Sequence, residues 1–577
     1  MIKLLSFLKG YRVKTVLGPL FKLVEAILEL LVPVVVAKII DEAIPAGQAG
    51  DYSLLIRYAL YMLILAAVGL CFALVAQYFA SRASMGFGTN LRRGLYEHIN
   101  SLSQADVDKF GAPSLMTRLV GDTTQCQQGV AMFIRLVTRA PFVVIGSIIM
   151  AVSIAPALSL VFIGASLLIA VVLYFVMSHS FRSYGVARGL LDDVSLSVRE
   201  NLNGVRVIRA FSRGEREKAE FNDKNDKMTA LSIAIGKISN LTNPASYAIV
   251  NAAVILVLWL GGKQVYAGNL TQGAVIALIN YLTQIMIALA VLANLVVTFS
   301  RASASAKRIN EVFATPVTKR GGDGATPDYS APAIEAKNLD FSYSGSGKNT
   351  LSDINFTLEK GQTLGIVGGT GSGKSTLVQL IAGLYEISGG SLKLFGHDVY
   401  EYTAAERTQM IGYAMQKSVL FSGTVKSNLL WRKQDASDEE LVAALKTAQA
   451  YEFVSKKPGG LDEPVSEGGN NFSGGQKQRL NVARALVGSP DILILDDSSS
   501  ALDFATDAAL RKALREDCAG MTTVVISQRA TSMQAMDLIL VLDDGEIAGA
   551  GTHTQLLASC PEYREIYNSQ VAEEDRV

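Results

Sequence analysis

The chain has 577 residues, half of them hydrophobic, and a formal net charge of +1. This length exceeds that of one ordinary domain, and the hydrophobic share argues against a wholly soluble protein. The balanced charge offers no basic surface for nucleic acid, so we expect no nucleic-acid partner. The four cysteines share no metal-ligand or disulfide spacing, and we interpret them as reduced thiols.

Six long apolar segments fall within about the first 300 residues, and each could cross a bilayer as a helix. So many runs close together favour a membrane domain over the buried helices of a soluble protein. The first ten residues contain no small-residue cleavage site, so we expect no cleaved signal peptide. The predicted spans are residues 16–44, 54–80, 131–154, 158–177, 239–260 and 274–299.

Basic residues predict the orientation of these spans. Lysine and arginine concentrate in the N-terminus and in two long connections, residues 81–119 and 181–232, whereas the loop 46–53 contains none. We therefore expect a multi-pass protein of the cell membrane, with the N-terminus, both connections and everything after Phe299 in the cytoplasm. Both connections have helical patterns, which indicates membrane helices that extend far into the cytosol.

Each long connection contains a short turn that we expect at the tip of a helical hairpin. The first turn is residues 111–114, followed by 115–119, and the second is residues 203–204, followed by 205–211. Apolar side chains such as Phe211 at an exposed tip favour burial. The tips are therefore interpreted as docking surfaces for a cytoplasmic domain, with solvated turns as the alternative.

Ionisable residues inside a membrane span are functional candidates. Glu25 and Glu29 lie on one face of the first span, and Lys22 lies three residues before Glu25. If Glu29 lines a cavity, it would favour cationic amphipathic substrates. The alternative is an interfacial Lys22–Glu25 pair, with polar residues of the last span as hydrogen bonds between helices. Those polar residues are Asn280, Tyr281, Gln284 and Asn294.

The composition changes after residue 314. Residues 315–332 are rich in glycine, proline, aspartate and threonine, which is typical of a linker or an exposed loop. From residue 333 onward, short β-like runs alternate with helical runs, as in a soluble α/β domain. We predict a transmembrane domain over residues 1–314, a linker over 315–332 and an α/β domain over 333–577.

The segment after residue 367 fits the pattern G-x-x-x-x-G-K-[ST], between an apolar strand-like run and a helical run. In that context glycines let backbone N–H groups close around phosphate at a helix N-terminus, which predicts nucleotide binding. We expect Lys374 to reach the outer phosphates and the Ser375 hydroxyl to hold Mg²⁺. The predicted binding residues of this loop are Gly368, Gly371, Ser372, Gly373, Lys374, Ser375 and Thr376.

Weaker signals lie on both sides of this loop. Asp496 ends an apolar strand-like run, which predicts a Mg²⁺ ligand opposite Ser375. Gln416 follows another predicted strand, and the ring of Tyr343 would stack on a purine; singly, a solvated amide and a packed ring are the alternatives. A glycine-rich segment before a helical run would present that helix N-terminus to an anion. Its residues are Ser473, Gly474, Gly475 and Gln476.

Together with the segment 500–503, and in this order after six spans, these motifs resemble an exporter-type ATP-binding-cassette half-transporter over essentially the whole chain. The resemblance implies a multidomain fold: a six-helix transmembrane domain with long cytoplasmic helical extensions, then an α/β P-loop nucleotide-binding domain. It implies that two chains pair, and that each cassette clamps ATP and Mg²⁺ against the partner's glycine-serine signature. That closure would rock the membrane domain between inward-facing and outward-facing states.

The resemblance also assigns roles to single positions. The tips at residues 114–119 and 203–211 match the family's coupling helices. Tyr343 matches its adenine-stacking aromatic residue. Gln416 matches its lid glutamine, which senses Mg²⁺ and water, and it is placed with the catalytic and metal-binding residues.

Two catalytic positions depart from the family pattern. Competent members have Glu directly after the strand-ending Asp, whereas this chain has Asp497. They also have His after a late strand, where this chain has Gln528. A shorter carboxylate misplaces the attacking water, and an amide cannot replace imidazole. The pattern is similar to the degenerate-site subunit of heterodimeric bacterial multidrug exporters; drift in a still-active site is the alternative.

The function that this resemblance implies is ATP-driven efflux of amphipathic small molecules across a lipid bilayer, with a second half-transporter that supplies the missing catalytic groups. Within the transporter class, a lipid or peptide translocase is the alternative. In a different class, ATP closure would gate a pathway or a sensor without pumping.

Overall fold

The structure is a computed structural model, which describes residues 2–317, 321–343, 348–498 and 500–570. The chain forms two compact units. The first contains Met1–Asn100 and Pro113–Ala314, and the second contains Ser101–Ala112 and Thr315–Val577. Residues 318–320 of the predicted linker and residues 571–577 of the predicted α/β domain lie outside the described residues.

Helices make up the first unit, and three of them are far longer than a bilayer requires. Helices α3, α8 and α12 have 49, 48 and 43 residues, so α3 is about 70 Å long against a hydrocarbon layer of about 30 Å. Such lengths agree with the predicted extensions beyond the membrane. The helices up to Ala314 are α1 (Arg12–Lys38), α2 (Ile44–Gln48), α3 (Ser53–Ser101), α4 (Gln104–Phe110), α5 (Ala112–Thr117), α6 (Thr123–Met132), α7 (Arg139–Ile154), α8 (Pro156–Asn203), α9 (Val205–Ala210), α10 (Gly214–Asn240), α11 (Thr242–Tyr266) and α12 (Gln272–Ala314), with a 3₁₀ segment at Ile2–Leu8 and π-helical turns at Ile39–Ala43, Arg118–Asp122 and Phe133–Val137.

Five helical stretches among the described residues are long and apolar enough to cross a membrane. Helix α1 is not one of them, because Lys22, Glu25 and Glu29 interrupt its apolar sequence. The structure therefore supports a helical membrane unit, and the count of six spans stays a prediction. The five stretches are Ser53–Ser101, Ala112–Ile154, Pro156–Val176, Gly214–Tyr266 and Gln272–Ala314.

The first predicted tip was placed too late in the chain. The short separate helix is α4, not residues 114–119; Ser103 caps its start by accepting a hydrogen bond from the Asp106 N–H at 3.1 Å. Gly111 ends it with a φ of 75°. Pro113 then lies in the first turn of the returning helix, where proline is favoured, instead of in a turn. Helix α4 belongs to the second unit.

The second predicted tip contains the short helix that was expected. Gly204 caps α9, and no residue of α9 is buried. The side chains of Val207 and Phe211 are 60% and 73% exposed. Two large apolar side chains therefore face away from the first unit, as a docking surface would require.

A buried polar cluster joins α6 to α12 in the first unit. The Asp122 carboxylate, which is buried, accepts hydrogen bonds from Ser305 Oγ at 2.9 Å and Arg308 Nε at 2.8 Å. A second guanidinium nitrogen of Arg308 contacts the same carboxylate. Paired and hydrogen-bonded charges of this kind stabilise one register between two helices.

The second unit is an α/β domain with two sheets and a short hairpin. An antiparallel sheet has the order β2-β1-β4-β5, a larger one the order β12-β11-β3-β10-β9-β6, and β7 pairs with β8. The strands are β1 (Ile334–Phe341), β2 (Leu351–Leu358), β3 (Thr363–Gly368), β4 (Gly389–Leu394), β5 (His397–Asp398), β6 (Ile411–Ala414), β7 (Gly423–Thr424), β8 (Pro464–Val465), β9 (Ile492–Asp496), β10 (Thr522–Ile526), β11 (Leu538–Asp543) and β12 (Glu546–Gly551).

The helices of this unit cover the sheets. Helix α13 packs Leu377, Val378 and Leu380 into a core shared with both sheets, whereas α16 and α18 build a second core with β9. The helices are α13 (Lys374–Ile381), α14 (Ala404–Met410), α15 (Val425–Leu429), α16 (Asp438–Thr447), α17 (Tyr451–Ser455), α18 (Gly474–Leu486), α19 (Phe504–Asp517), α20 (His553–Ser559) and α21 (Pro561–Asn568), with 3₁₀ turns at Gly460–Asp462, Glu467–Gly469 and Ala530–Met533.

Five strands of the larger sheet are parallel and end at one edge. Strand β10 pairs with β3 on one side and β9 on the other, so Ile526 lies between Ile366 and Asp496. Strand β6 pairs with β9. The carboxyl ends of parallel strands are where α/β proteins bind ligands, and this edge contains the predicted phosphate loop, Asp496, Gln416 and Gln528.

The Asp122 cluster can be tested by a single substitution. Asp122→Asn leaves the Arg308 guanidinium without its carboxylate, so we expect it to cost about 1–3 kcal/mol and to lower the midpoint of thermal unfolding, measured by helical circular dichroism in detergent. Asp223→Asn is the matched control, because its ion pair with Lys227 is exposed and of little value. Equal midpoints for the two variants would contradict the assigned role.

Candidate functional site: a phosphate loop at the edge of the parallel sheet

The phosphate loop joins the end of β3 to the start of α13. Gly373 occupies the N-cap of α13 with φ 94°, a left-handed conformation that glycine adopts without strain. A Cβ atom at Gly373 would approach Leu351 Cδ2 to 2.6 Å, so close packing against β2 also requires glycine there. At Gly369 a Cβ atom would meet nothing within 4 Å. The loop is therefore tightly constrained at one glycine and open at another.

Lys374 and Ser375 begin the helix and point to different partners. Half-buried Lys374 donates through Nζ to the Gly368 carbonyl at 3.0 Å and to Ser372 Oγ at 3.2 Å. Burial lowers the pKa of Lys374. The Lys374 ammonium group therefore contacts only neutral oxygens among these partners. An anionic phosphate could replace them as a stronger partner.

Ser375 and Asp496 were predicted to share a site, and the structure brings them together. Ser375 Oγ donates to Asp496 Oδ1 at 3.0 Å. Tyr413, on the neighbouring strand β6, donates through its hydroxyl to Asp496 Oδ2 at 3.2 Å. Tyr413 could not be predicted from the sequence, because only the pairing of β6 with β9 brings it to this carboxylate.

Two buried carboxylates follow one another at the end of β9. Burial raises the pKa of Asp496 and of Asp497, and the charge of Asp497 raises that of Asp496 further. A divalent cation would favour the charged forms and reverse this shift. Mg²⁺ usually takes one or two carboxylates and leaves its other positions to phosphate and water, a demand that Asp496 and the Ser375 hydroxyl fit.

Asp497 lies where a catalytic carboxylate is expected. Its φ is 47°, a left-handed conformation that Asp tolerates better than most residues. The Gln416 side chain hydrogen-bonds the Asp497 carboxylate, which opposes the effect of burial on its pKa. Gln416 and Asp497 are therefore in contact, although 80 residues separate them in the sequence.

Gln528 follows the end of β10, next to β9 in the sheet. Its side chain is exposed, and its carbonyl accepts a hydrogen bond from Gln570 Nε2 at 2.7 Å. Strand pairing thus brings this position to the same edge as Asp497, whose N–H donates to the Ile526 carbonyl at 3.1 Å.

The glycine-serine signature forms the start of α18. The Ser473 side chain accepts from the Gln476 N–H, and the Gln476 side chain accepts in return from the Ser473 N–H, a capping box that satisfies two backbone donors and fixes the start of the helix. Within the described part of the chain, no hydrogen bond links residues 473–476 to the phosphate loop. Ser473 and Gly474 are exposed to solvent, whereas Gly475 and Gln476 are half-buried.

Gln478, on the second turn of α18, connects this helix to the segment after β9. The side chain of Gln478 is buried; its Nε2 donates to Ser500 Oγ and its Oε1 accepts from the Ala501 N–H, both at 3.0 Å. Sequence reasoning missed this residue. A polar side chain on a helix that follows a glycine-rich turn gives no signal of a partner 22 residues away.

Tyr343 is packed as well as polar. Its hydroxyl lies 3.1 Å from Thr376 Oγ1 and donates to Gln379 at 3.3 Å. Its ring makes edge-to-face contacts with Phe341 and Tyr385. These contacts place the ring beside α13, the helix that the phosphate loop leads into.

Comparison with known proteins agrees with this geometry. The profile of the ABC transporter transmembrane region matches residues 15–289, and that of the ABC transporter domain matches residues 351–500. The chain belongs to the ABC transporter family. An uncharacterized ABC transporter ATP-binding protein of Mycobacterium tuberculosis is 35% identical to it, over 98% of this chain and 97% of that protein.

Two relatives from Bacillus subtilis also match this ABC transporter over nearly its whole length. The uncharacterized ABC transporter ATP-binding protein YfiB is 34% identical over 100% of this chain and 99% of its own length. The probable multidrug resistance ABC transporter ATP-binding/permease protein YheI is 32% identical over 98% of this chain and 97% of its own length. The predicted exporter-type half-transporter, with a helical membrane region and an ATP-driven cassette, is confirmed at this level.

The loop geometry of this ABC transporter predicts different outcomes for two neighbouring glycines. Gly373→Ala places a methyl group against Leu351 and strains a left-handed residue, so we expect ATP affinity to fall by about tenfold or more. Gly369→Ala should leave affinity nearly unchanged. Equilibrium binding of a fluorescent ATP analogue to the purified chain measures both, and equal losses would contradict the loop geometry.

Proposed function

We propose that this ABC transporter chain is one half of a heterodimeric exporter of amphipathic compounds. The relative named as a multidrug resistance transporter supports that substrate class. The orientation proposed from the basic residues places the N-terminus and the cassette in the cytoplasm. The membrane domain is proposed to span residues 1–314 with six helices, followed by a linker over 315–332 and a nucleotide-binding domain over 333–577.

The observation that carries the heterodimer proposal is the pair of departures at one edge of the sheet. Asp497 occupies the position of the water-positioning carboxylate and contacts Gln416. Gln528 stands at the neighbouring strand end, where imidazole chemistry would be needed. A base displaced by about 1 Å loses about a hundredfold in rate, and a neutral amide carries no charge to the γ-phosphate. This site is proposed to hold ATP and to cleave it slowly.

Binding of ATP with Mg²⁺ is proposed to use the groups described above. Backbone N–H groups of the loop and Lys374 would hold the phosphates. Ser375 and Asp496 would hold Mg²⁺. Gln416, which contacts Asp497, would lie next to the ion. The ring of Tyr343 is proposed to lie against adenine.

The signature is proposed to complete the partner's site. Ser473, Gly474, Gly475 and Gln476 form the N-terminus of α18, where Ser473 and Gly474 are exposed, a surface suited to the phosphates of a second nucleotide. The buried bonds of Gln478 to residues 500 and 501 would couple that contact to the end of β9. The partner chain is proposed to contribute the Glu and His that this chain lacks.

Two short helices are proposed to transmit closure of the cassettes. Asp108 on α4 accepts a hydrogen bond from the Tyr385 hydroxyl. A cavity of about 620 Å³ lies between the start of α4 and cassette residues that include Tyr385, Arg407 and Trp431. The exposed apolar side chains of α9 are proposed to dock on a cassette in the same way.

ATP turnover tests the proposal most simply. The purified chain alone should hydrolyse ATP slowly in the presence of Mg²⁺, and a complex with a half-transporter that has Glu and His at these positions should hydrolyse it fast. Rapid turnover by this chain alone would refute the degenerate site and favour drift in a still-active one.

Restoration of the two groups gives a second prediction. Asp497→Glu together with Gln528→His should raise ATP turnover of the complex, because both cassettes would then cleave ATP. Ser473→Ala in this chain should instead depress turnover at the partner's site by about tenfold or more, since one donor to the transferring phosphate is lost. Exposed Ser569→Ala is the control for Ser473→Ala, and an unchanged rate for the restored variant would count against the proposal.

A further inference from the structure

An ion pair crosses between two helices of the membrane unit. Arg139 Nη2 of α7 lies 2.6 Å from Glu29 Oε2 of α1, and the two side chains are 23% and 38% exposed. In the sequence alone Glu29 has no visible partner, and its pair with Arg139 weakens the argument that Glu29 favours cationic substrates. Its partner lies 110 residues away in the sequence, which no local pattern could indicate.

A third helix, α12, joins this pair through Gln284. Gln284 Nε2 donates to the Glu29 carbonyl at 3.5 Å, and Tyr281, one turn earlier, donates through its hydroxyl to the Leu30 carbonyl at 2.7 Å. Beside the pair, the same three helices meet in a small apolar cluster of Ala26, Val143 and Ala288. The charges therefore lie where α1, α7 and α12 converge.

Where these three helices meet, one hydrogen-bond donor and one acceptor have no partner among the described residues. Arg139 Nε, a donor, and Gln284 Oε1, an acceptor, are both buried without a hydrogen-bond partner among the described residues. Such groups are rarely left unpaired in the interior. A molecule that carries both an acceptor and a donor would satisfy both at once, because each atom belongs to a residue that already contacts Glu29.

Charge balance selects the class of such a molecule. A lipophilic cation at Glu29 would leave Arg139 uncompensated and would be repelled by it, whereas a lipophilic anion at Arg139 would leave Glu29 unpaired. Either outcome is costly at low dielectric. A zwitterion keeps neutrality, because its anionic group pairs with Arg139 and its ammonium group with Glu29.

We propose that Glu29, Arg139 and Gln284 form a headgroup site that selects zwitterionic amphiphiles over singly charged ones. The site rests on the proposed export function and gives it a substrate class. The apolar residues beside the pair would contact the hydrophobic part of the same molecule.

Three amphiphiles with the same alkyl chain test this site. The purified full chain in an uncharged maltoside detergent is titrated with hexadecylphosphoethanolamine, hexadecylammonium or hexadecyl methyl phosphate, and stabilisation against heat is measured. A ligand that binds the folded protein raises the midpoint of unfolding, and a tighter ligand produces the same rise at a lower concentration. We expect the phosphoethanolamine compound to produce a given rise at a concentration about tenfold or more below that of either singly charged compound.

Charge variants make the ranking specific to the pair. Arg139→Gln should shift the preference to the hexadecylammonium compound, and Glu29→Gln should shift it to the methyl phosphate. The exchanged variant, Glu29→Arg with Arg139→Glu, should keep the preference for the zwitterion, which separates selectivity from damage to the fold. Glu25→Gln is the control on the same helix, because Glu25 pairs within α1 with Lys22, and it should leave the ranking unchanged.

An identical ranking in the wild-type protein and in both single variants would overturn the headgroup site, as would a wild-type preference for the cation. ATP turnover is measured in parallel on complexes that contain the same variants. Normal turnover alongside a ranking that ignores Glu29 and Arg139 would mean that this inference fails while the export proposal stands.

Discussion

Hydrogen bonding along the parallel strands β11, β3, β10, β9 and β6 fixes the position of every predicted catalytic group in the cassette. Because these strands are in register, their carboxyl ends bring the phosphate loop, Asp496 and Gln528 to one edge. The bond from Ser375 to Asp496 then joins the loop to β9. Any change in that register would separate groups that are far apart in the sequence.

The reactions possible at this edge depend on which side chains the backbone of the sheet places there. Asp497 has the left-handed backbone that the turn after β9 requires, and it keeps its contact with Gln416. The turn after β9 therefore holds the Asp497 carboxylate within hydrogen-bonding reach of Gln416.

Features with local causes could be predicted from the sequence, and those with distant causes could not. The phosphate loop follows from glycines and a lysine within nine residues, and the long helices follow from uninterrupted apolar and amphipathic runs. The first tip was misplaced because Pro113 suggests a turn, although proline also starts helices. Tyr413, Gln478 and Arg139 were invisible for another reason: tertiary contacts alone assign their partners.

The prediction of the membrane helices succeeded only in part, because the ion-pair partner of Glu29 lies on another helix. The charges of α1 drew attention to Glu29, yet they also prevent α1 from qualifying as a span by composition. Once Arg139 neutralises Glu29, that helix becomes compatible with an apolar surrounding, since a paired charge costs less there than an isolated one. Composition therefore underestimates a helix whose charges are paired by a neighbour.

The most direct test of the central claim is the chemical state of the nucleotide held by this chain. The complex of this chain with its partner is incubated with radiolabelled ATP and Mg²⁺, separated rapidly from free nucleotide, and the nucleotide bound to each cassette is identified after crosslinking. The account predicts intact ATP on this chain through many turnovers and ADP on the partner. ADP formed on this chain as fast as on the partner would contradict it.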